Sequence, residues 1–323
     1  MSARFVFMPE LPEVQTIVSG LKKTVLGKKI KSIFSDSSRV LSGKDFSREL
    51  VEGKIVDVKR RSKFIIIELS NNRAILIHLG MTGNLFYLKR EAPKEKHDHL
   101  ILRFSDNSQL RYNDPRKFGK IKIVNFPELK NLPEISQLGP EPLKISLKDF
   151  ANIFQKRKGR IKTSLLNQKI LAGLGNIYSD ETLFDANIHP LTKVENLNQR
   201  KLKALFFSIK TILRKAIQAG GTSVDNYLNV DGGKGFFQFK LKVYGREGLP
   251  CPRCGTKIKR IKISQRSSHF CSRCQKINYK KSGIRGIRCV EKKGFSQKKS
   301  GGHNSRRLLF CKVSLKDKID EII

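Results

Sequence analysis

Acidic residues, cysteines and long apolar runs are all scarce in this chain of 323 residues. Asp and Glu number 28 against 66 Lys and Arg, which gives a formal net charge of +38. No apolar run approaches the 18 or more residues that a membrane-spanning helix needs, and residues 1–7 are too short for a signal peptide. With six cysteines and no secretion signal, a disulfide-stapled extracellular scaffold is disfavoured. We therefore expect an intracellular protein with no membrane partner.

The excess of positive charge predicts a polyanionic partner. When lysines and arginines neutralise phosphates, condensed counterions are released, so such a surface binds nucleic acid with a salt-sensitive, largely sequence-independent affinity. An anionic membrane surface is the competing partner, but the chain offers no apolar segment to anchor there. A hydrophobic fraction of 38% still supports the cores of two domains.

Four of the cysteines form two pairs, Cys251-x-x-Cys254 and Cys271-x-x-Cys274, with sixteen residues between the pairs. This is zinc-ribbon spacing, because two C-x-x-C turns supply the four thiolates of a tetrahedral structural zinc site. Basic and apolar residues alternate over residues 257–266, which predicts a hairpin with one cationic face. We expect one Zn²⁺ that braces a DNA-contacting hairpin. Two alternatives remain: a zinc site that only stabilises the fold, and, less favoured, a pair of disulfides.

The period of the apolar residues changes twice along the chain. Residues 11–26 predict a helix that ends at Gly27. Strand-like runs follow at residues 54–59, 64–69, 74–78, 100–104 and 120–124. A proline-containing connector, residues 125–143, leads into helical periodicity over residues 146–219. The pattern predicts an α+β, multidomain protein: an N-terminal β-sandwich or barrel with one leading helix, a helical second lobe, and a C-terminal zinc hairpin.

Two segments lack such periodicity. Residues 222–235 are rich in glycine and predict a mobile loop. Residues 276–323 hold 14 Lys or Arg against 4 Asp or Glu, and their composition predicts a disordered basic tail. Such a tail favours solubility or non-specific DNA binding, and no motif in it indicates a dedicated partner.

Met8 and Pro9 open a segment that could carry nucleophilic chemistry. If translation begins at Met8 and that methionine is removed, Pro9 presents a secondary amine that can form an iminium with an aldehyde-like carbon. Glu10 and Glu13 could then serve as a proton donor and a helix-terminus anchor. From these residues alone, a proline and two acids that merely open a helix are the favoured interpretation.

Six motifs in one order extend this observation. They are Pro9-Glu-Leu-Pro-Glu13, Arg60-Arg-Ser-Lys63, His78-Leu-Gly-Met81-Thr-Gly83, Asn113-Asp-Pro-Arg116-Lys-Phe118-Gly119, Gly173-Leu-Gly-Asn176-Ile-Tyr178 and the four-cysteine finger. Over about residues 8–275 this set resembles the formamidopyrimidine-DNA glycosylase family. The resemblance implies an enzyme that grips damaged duplex DNA, cleaves the glycosidic bond of an oxidised base, and cuts the strand at the abasic site.

The resemblance also implies a division of the chain. Residues 8–135 would form the catalytic β-sandwich domain, 136–235 a helix-two-turn-helix domain with a lesion loop, and 236–275 the zinc finger. Residues 1–7 would be an extension absent from the mature enzyme, and 276–323 the tail. Residues 222–237 resemble the loop that closes over a flipped purine, which favours 8-oxoguanine and formamidopyrimidines over oxidised pyrimidines.

The resemblance assigns catalytic roles by position. Pro9 would be the nucleophile and iminium former, and Glu10 the acid that assists opening of the sugar ring. Lys63 would lie near the lesion phosphate and help to keep Pro9 neutral, although a lysine after Arg60 and Arg61 could also be a solvated strand edge. Arg266, at the tip of the zinc hairpin, would grip a phosphate.

The remaining site residues would contact DNA. Asn176 would bind a phosphate, beside backbone N–H groups that residues 173–178 leave free at a helix start, and His78 belongs to the same binding set. Met81, Arg116 and Phe118, which we call the wedge residues, would fill the space left by the flipped base, with Arg116 facing the orphaned cytosine. Met81 and Phe118 could instead be core residues, but nearby glycines favour tight exposed turns.

One departure from the family pattern matters: seven residues precede Met8, and an amide nitrogen cannot act as the nucleophile. The leading hypothesis is a lesion-specific glycosylase and lyase that starts at Pro9. The second is a catalytically inactive lesion-binding protein, and the third a general zinc-ribbon nucleic-acid-binding protein. For the first, we expect a monomer of bacterial type in the cytoplasm, associated with the nucleoid.

Overall fold

The computed structural model describes residues 8–36, 39–42, 47–223 and 227–277. Its helices are α1 Leu11–Thr24, α2 Ser47–Leu50, α3 Pro133–Ser136, α4 Leu147–Gln155, α5 Ile161–Leu166, α6 Asn176–Asp185 and α7 Gln199–Gln218, and 3-10 turns lie at Phe126–Asn131, Val194–Asn196 and Phe237–Lys240. Its strands are β1 Ile30–Ser35, β2 Leu41–Ser42, β3 Ile55–Arg61, β4 Phe64–Leu69, β5 Arg73–His78, β6 Asn84–Leu88, β7 Asp98–Phe104, β8 Gln109–Asn113, β9 Lys120–Asn125, β10 Lys259–Ile263 and β11 Arg266–Phe270.

Two predictions concern residues outside these ranges. The extension at 1–7 lies outside the described residues, as do residues 278–323 of the basic tail. Within the described ranges, no helix is both long enough and apolar enough to span a bilayer.

The first lobe is a two-sheet sandwich, which confirms the predicted architecture. One sheet has the strand order β1-β7-β8-β6, the other β2-β9-β5-β4-β3, and all pairings are antiparallel except the short β2–β9 pair. Apolar residues from both sheets and from α1 form one buried core. Helix α1 buries Val14, Ile17, Val18 and Leu21 against it, as its 3.6-residue period predicts.

Strands β4 and β5 read as continuous apolar runs because both of their faces are covered. Ile65 and Ile67 point into the main core, whereas Ile66 belongs to a second cluster on the outer face of the sheet. Leu129 of the 3-10 turn after β9 covers that outer face. The part of the predicted connector that contains Leu129 therefore packs against the outer face of the sheet that contains β4 and β5.

Sequence periodicity missed β1, β2, β6 and β8. In β8 the reason is visible, because Gln109 and Arg111 are buried where a half-exposed strand would place apolar residues. Arg111 pairs there with buried Asp98 at 3.1 Å and donates to Gln109 Oε1 at 2.9 Å. The buried polar network hides the alternation that identifies a strand.

The second lobe contains the four helices α4 to α7 and the zinc hairpin. Helix α7 ends before Gly220 and Gly221, whose φ values of 73° and 83° lie in the left-handed region that glycine tolerates. Strands β10 and β11 are joined by Ser264 and Gln265, both with positive φ, which is the two-residue turn that suits a twisted hairpin. The hairpin was predicted, although the domain boundaries given above stay predictions.

Candidate active site

One cavity of about 270 Å³ brings together residues from both lobes. The sequence-predicted residues that line it are Glu10, Lys63, His78, Asn176 and Arg266. Met8 also lines it, so the buried Pro9 lies between two residues of the cavity wall. The wall is completed by Leu166, Gln168, Leu174, Gly175, Ile177 and Tyr244. The start of the described chain thus faces a lysine, an arginine and an asparagine that are far away in sequence.

Glu10 occupies the N-terminus of α6. Its carboxylate accepts hydrogen bonds from the backbone N–H groups of Gly175 at 2.5 Å and Ile177 at 2.8 Å, with a longer one from Tyr178 at 3.4 Å. The prediction that these N–H groups are free for a phosphate was therefore wrong. The N–H groups at a helix N-terminus need acceptors, and here the protein's own Glu10 carboxyl group supplies them. Burial raises the pKa of Glu10, and the nearby Lys63 charge and the N–H donors offset that only in part.

Glu13 connects α1 to the start of the lesion loop. Its carboxyl accepts from the Glu10 N–H at 2.9 Å, from the Thr222 N–H at 2.8 Å and from the Tyr178 hydroxyl at 2.5 Å. Burial, and then the neighbouring Glu10 charge, raises the pKa of Glu13 to about 8. The predicted helix-terminus anchor is thus a group that can carry a proton near neutral pH, and it ties Glu10 to the chain at Thr222.

Lys63 lies in the tight turn between β3 and β4 and is half-buried in the cavity wall. Burial lowers the pKa of its amine, and the Arg266 charge lowers it further against the opposing attraction of Glu10. The preceding arginines do not extend a solvated edge, because Arg60 pairs with Glu141 at 2.6 Å and Arg61 pairs with it at 3.1 Å. Glu141, in the connector between the lobes, therefore fixes the turn that carries Lys63.

His78, which pairs with Phe64 at the end of β5, lines the same cavity in its neutral form. Burial, and then the Lys63 charge, lowers the pKa of His78 to about 4. Its Nδ1 accepts from the Gly80 N–H at 3.2 Å, which leaves Nε2 as the donor of the neutral ring. The imidazole can therefore offer one N–H to an oxygen in the cavity.

Asn176 and Arg266 supply the second lobe's part of the cavity. Asn176 is the first residue of α6, and its buried Oδ1 has no hydrogen-bond partner within the described part of the chain. Arg266 is exposed and begins β11, directly after the hairpin turn. The exposed guanidinium of Arg266 is a donor that a phosphate would satisfy, whereas the unsatisfied Asn176 Oδ1 is an acceptor and needs a donor.

The wedge residues lie on two loops outside the cavity lining. Phe118 is 46% exposed, and the Arg116 guanidinium lies 4.4 Å from the centre of its ring. Met81 is half-buried on the neighbouring loop. The glycines beside them are buried rather than exposed, which corrects the expectation of exposed turns. Gly80 has φ +64°, and a Cβ there would lie 2.6 Å from the backbone of Phe118 and Gly119. Close packing of the loops is what requires glycine.

The four cysteines meet as predicted. Their sulfur atoms lie within 4.8 Å of one another, with separations of 3.9 Å for Cys251–Cys274, 3.5 Å for Cys254–Cys271 and 3.4 Å for Cys254–Cys274. Four sulfurs at about 2.3 Å from a tetrahedral zinc ion lie roughly 3.8 Å apart. The cluster therefore fits a single structural Zn²⁺.

Several residues of the site were not predicted. Asp180 of α6 accepts from the Lys162 ammonium at 2.6 Å, the Ser268 hydroxyl at 2.7 Å and the His269 N–H at 2.9 Å. Glu181 accepts the backbone N–H groups of residues 242–244 at 2.9 to 3.1 Å. Asp180 thus fastens the zinc hairpin to the helix that carries Asn176, and Glu181 fastens the segment that precedes the hairpin. The motif at residues 173–178 was the available signal, because Asp180 and Glu181 follow it almost directly.

Family models match the chain in the same order as the motifs. The formamidopyrimidine-DNA glycosylase N-terminal domain matches residues 8–121, its H2TH domain residues 138–227, and the zinc finger found in FPG and IleRS residues 248–277. The formamidopyrimidine-DNA glycosylase of Solibacter usitatus is 43% identical over 273 residues, which cover 83% of this chain and 100% of that protein. That of Pediococcus pentosaceus is 42% identical over 272 residues, covering 83% and 99%.

Solved structures give the same result for the fold. The complex between a Lactococcus lactis FPG mutant and a Fapy-dG containing DNA has a TM-score of 0.78 and 38% identity, and covers 83% of this chain and 100% of that one. The complex between Lactococcus lactis Fpg and an abasic site containing DNA has a TM-score of 0.77 at the same identity, with 83% and 99% covered. The chain therefore belongs to the formamidopyrimidine-DNA glycosylase family.

Proposed function

We propose that this protein removes oxidised purines, 8-oxoguanine and formamidopyrimidines, from duplex DNA and then cuts the strand at the abasic site. One observation carries the proposal: the chain around Pro9 lines a single cavity with Lys63 and His78 of its own lobe and with Asn176 and Arg266 of the other lobe. The two neighbours of the proposed nucleophile, Met8 and the proposed acid Glu10, thus line one space with the proposed phosphate-binding groups.

The chemistry begins with Pro9 as a free secondary amine. Its nitrogen bonds to the anomeric carbon of the flipped nucleotide while the glycosidic bond breaks and the base leaves with a proton. Glu10 donates a proton to the ring oxygen, so the sugar opens and the nitrogen–carbon bond becomes an iminium. Loss of a proton from the adjacent carbon then expels the 3′ phosphate, and a second elimination releases the 5′ phosphate.

The charges in the cavity suit these steps. The raised pKa of Glu10 favours a proton donor, because a buried carboxyl keeps its proton more readily than an exposed one. A cationic Lys63 disfavours a charged amine at Pro9 and attracts the lesion phosphate. Asn176 and Arg266 hold the DNA backbone from the second lobe, so the sugar is presented to Pro9 from a fixed direction.

The proposal requires that Pro9 be the mature N-terminus, with Met8 as the start and its removal exposing the amine to the cavity. If Pro9 keeps a preceding peptide bond, its nitrogen has no nucleophilic lone pair, and the protein would bind lesions without cutting them. N-terminal sequencing of the native protein distinguishes these two cases.

The decisive experiment is borohydride trapping on duplex DNA that carries 8-oxoguanine opposite cytosine. Protein that starts at Pro9 should form a stable covalent adduct, because borohydride reduces the iminium to an amine. Pro9→Gly should lose most of the adduct, and the chain that retains residues 1–8 is the matched control that should form none. Undiminished trapping by Pro9→Gly would move the nucleophile elsewhere, with Lys63→Ala the next variant to test.

We further propose that the protein acts as a monomer on DNA in the bacterial cytoplasm, associated with the nucleoid. The support is chemical: one chain supplies every group assigned above, and the substrate is chromosomal DNA.

A further inference from the structure

Two loops carry the wedge residues, and the sheet register places them side by side. Residues 79–83 lead from β5 in one sheet to β6 in the other, and residues 114–119 lead from β8 back to β9. His78 pairs with Lys120 at one end of the loops, and Asn84 pairs with Asn113 at the other end. Both loops therefore span the same gap between the sheets, and we call them the wedge loops.

A buried carboxylate joins the wedge loops. Asp114 is 0% exposed, and its Oδ2 accepts from the Tyr112 hydroxyl at 3.0 Å and the Gly119 N–H at 2.8 Å. Its Oδ1 accepts from the Arg116 N–H at 3.2 Å and from the Thr82 hydroxyl. Three of these donors belong to β8 and its own loop. Thr82 belongs to the loop that carries Met81, so its hydrogen bond ties one loop to the other.

The surroundings leave these loops little freedom. A Cβ at Gly83 or Gly119 would collide with the Tyr112 hydroxyl, and one at Gly80 would collide with the backbone of Phe118. Burial and the neighbouring Asp114 charge raise the pKa of Tyr112, so its hydroxyl keeps the proton that it donates. Among the described residues no ion pair involves Asp114, so hydrogen bonds from neutral groups stabilise its charge.

We propose that Asp114, held by Thr82 and Tyr112, is a positioning residue that fixes Met81 against Arg116 and Phe118, so that the three side chains enter the duplex as one rigid unit. This inference rests on the proposed function. Flipping a base costs a few kcal/mol, and a wedge that is already in place when the duplex arrives has little conformational freedom to lose on insertion. Asp114 touches none of the reacting atoms and acts through the wedge residues alone.

Thr82→Val tests the link between the loops, because valine keeps the shape of threonine and removes the hydroxyl. Single-turnover excision of 8-oxoguanine opposite cytosine should slow by about tenfold to a hundredfold, the rate equivalent of one hydrogen bond to a charged group. A 2-aminopurine beside the lesion should show a weaker fluorescence change on binding. Cleavage of a single-stranded abasic oligonucleotide needs no wedge and should stay within about twofold of wild type.

Three comparisons make the result specific. Thr82→Ser restores the donor and should restore duplex excision. Thr182→Val removes a buried hydroxyl of α6 that donates to the Ser179 carbonyl and should leave both reactions unchanged. Tyr112→Phe removes a second donor to Asp114 and should repeat the Thr82→Val pattern, so it decides the question if Thr82→Val does not fold.

The outcomes separate the inference from the function on which it rests. If wild-type protein starting at Pro9 excises 8-oxoguanine while Thr82→Val and Tyr112→Phe excise it equally fast, the positioning role is wrong. Equal losses on duplex and single-stranded substrates would also overturn it, because they would indicate general damage to the lobe. If the wild-type protein starting at Pro9 excised no 8-oxoguanine, the proposed function itself would be wrong.

Discussion

Two carboxyl groups of the site, those of Glu10 and Glu13, are buried and lie about one helical turn apart in the sequence. Their partners lie at Gly175 and Thr222, 165 and 209 residues further along the chain. The proline and the acids could be interpreted from the sequence as a nucleophile, a proton donor and an anchor. Their hydrogen bonds could not, because nothing local indicates which distant N–H groups will meet a given carboxylate. Two neighbouring buried carboxyls cannot both ionise without cost, which favours a proton on Glu13.

The raised pKa of Glu13 makes stability depend on pH. Its ordinary pKa is 4.5 and its pKa in the folded protein is about 8, so between these values the folded protein holds a proton that the unfolded chain has released. Raising the pH through this window therefore favours unfolding. The free energy of unfolding of wild type relative to Glu13→Gln should fall from pH 4.5 to about pH 8 and stay level above it.

Chemical denaturation at several pH values measures this difference. The control is Glu128→Gln, which removes an exposed carboxyl on the 3-10 turn after β9. Taking the difference from Glu13→Gln cancels the titrating groups that do not interact with Glu13, whereas the coupled Glu10 contributes to the difference. A difference that does not change with pH would show that Glu13 is ionised in the folded protein throughout.

At the level of elements, α6 joins the parts of the site. Its N-terminus holds Glu10 and its first residue is Asn176. Its middle holds the zinc hairpin through Asp180 and the preceding residues 242–244 through Glu181. A helix start was predicted at residues 173–178, within helical periodicity over residues 146–219. Contacts with the finger and with α5 bury the polar residues of α6. Sequence periodicity alone would place such polar residues on the solvent-exposed face of a helix.

Loss of zinc should therefore affect DNA binding without unfolding the first lobe. Cys271→Ser removes one thiolate, and it should abolish stoichiometric zinc and weaken duplex affinity by roughly tenfold or more, because Arg266 loses its braced hairpin. Zinc content, duplex affinity and the thermal unfolding of the first lobe are the measurements. Cys289→Ser, a cysteine outside the described residues, should retain both zinc and affinity. Full affinity in zinc-free Cys271→Ser would mean that the finger only stabilises the fold.

At the scale of the whole molecule, the charge of +38 predicted the class of partner but not where DNA lies. The motifs predict a location, because their residues lie at turns or helix starts beside the cavity or on the wedge loops. What the sequence left open is the contact between lobes. Glu141 of the connector binds Arg60 and Arg61, and no periodicity indicates such a long-range ion pair.

The two lobes should contribute to DNA binding in different ways. Arg266 of the second lobe is exposed at the hairpin turn, and if it holds a phosphate, Arg266→Ala should weaken binding to damaged and undamaged duplex alike and reduce the salt slope by about one contact. Arg116 of the first lobe is stacked on Phe118, and if it faces the orphaned base, Arg116→Ala should reduce the preference for cytosine opposite the lesion by about 1 to 3 kcal/mol.

Excision opposite each of the four bases, at two salt concentrations, measures both effects in one set of reactions. Arg200→Ala on α7 lowers the net charge by the same single unit at an exposed position outside the cavity lining, so it reports the contribution of net charge alone. A loss of salt slope in Arg266→Ala no larger than that in Arg200→Ala would mean that Arg266 acts through the general field. An Arg116→Ala protein that keeps its opposite-base preference and loses only salt-dependent affinity would show that Arg116 binds the DNA backbone rather than filling the duplex.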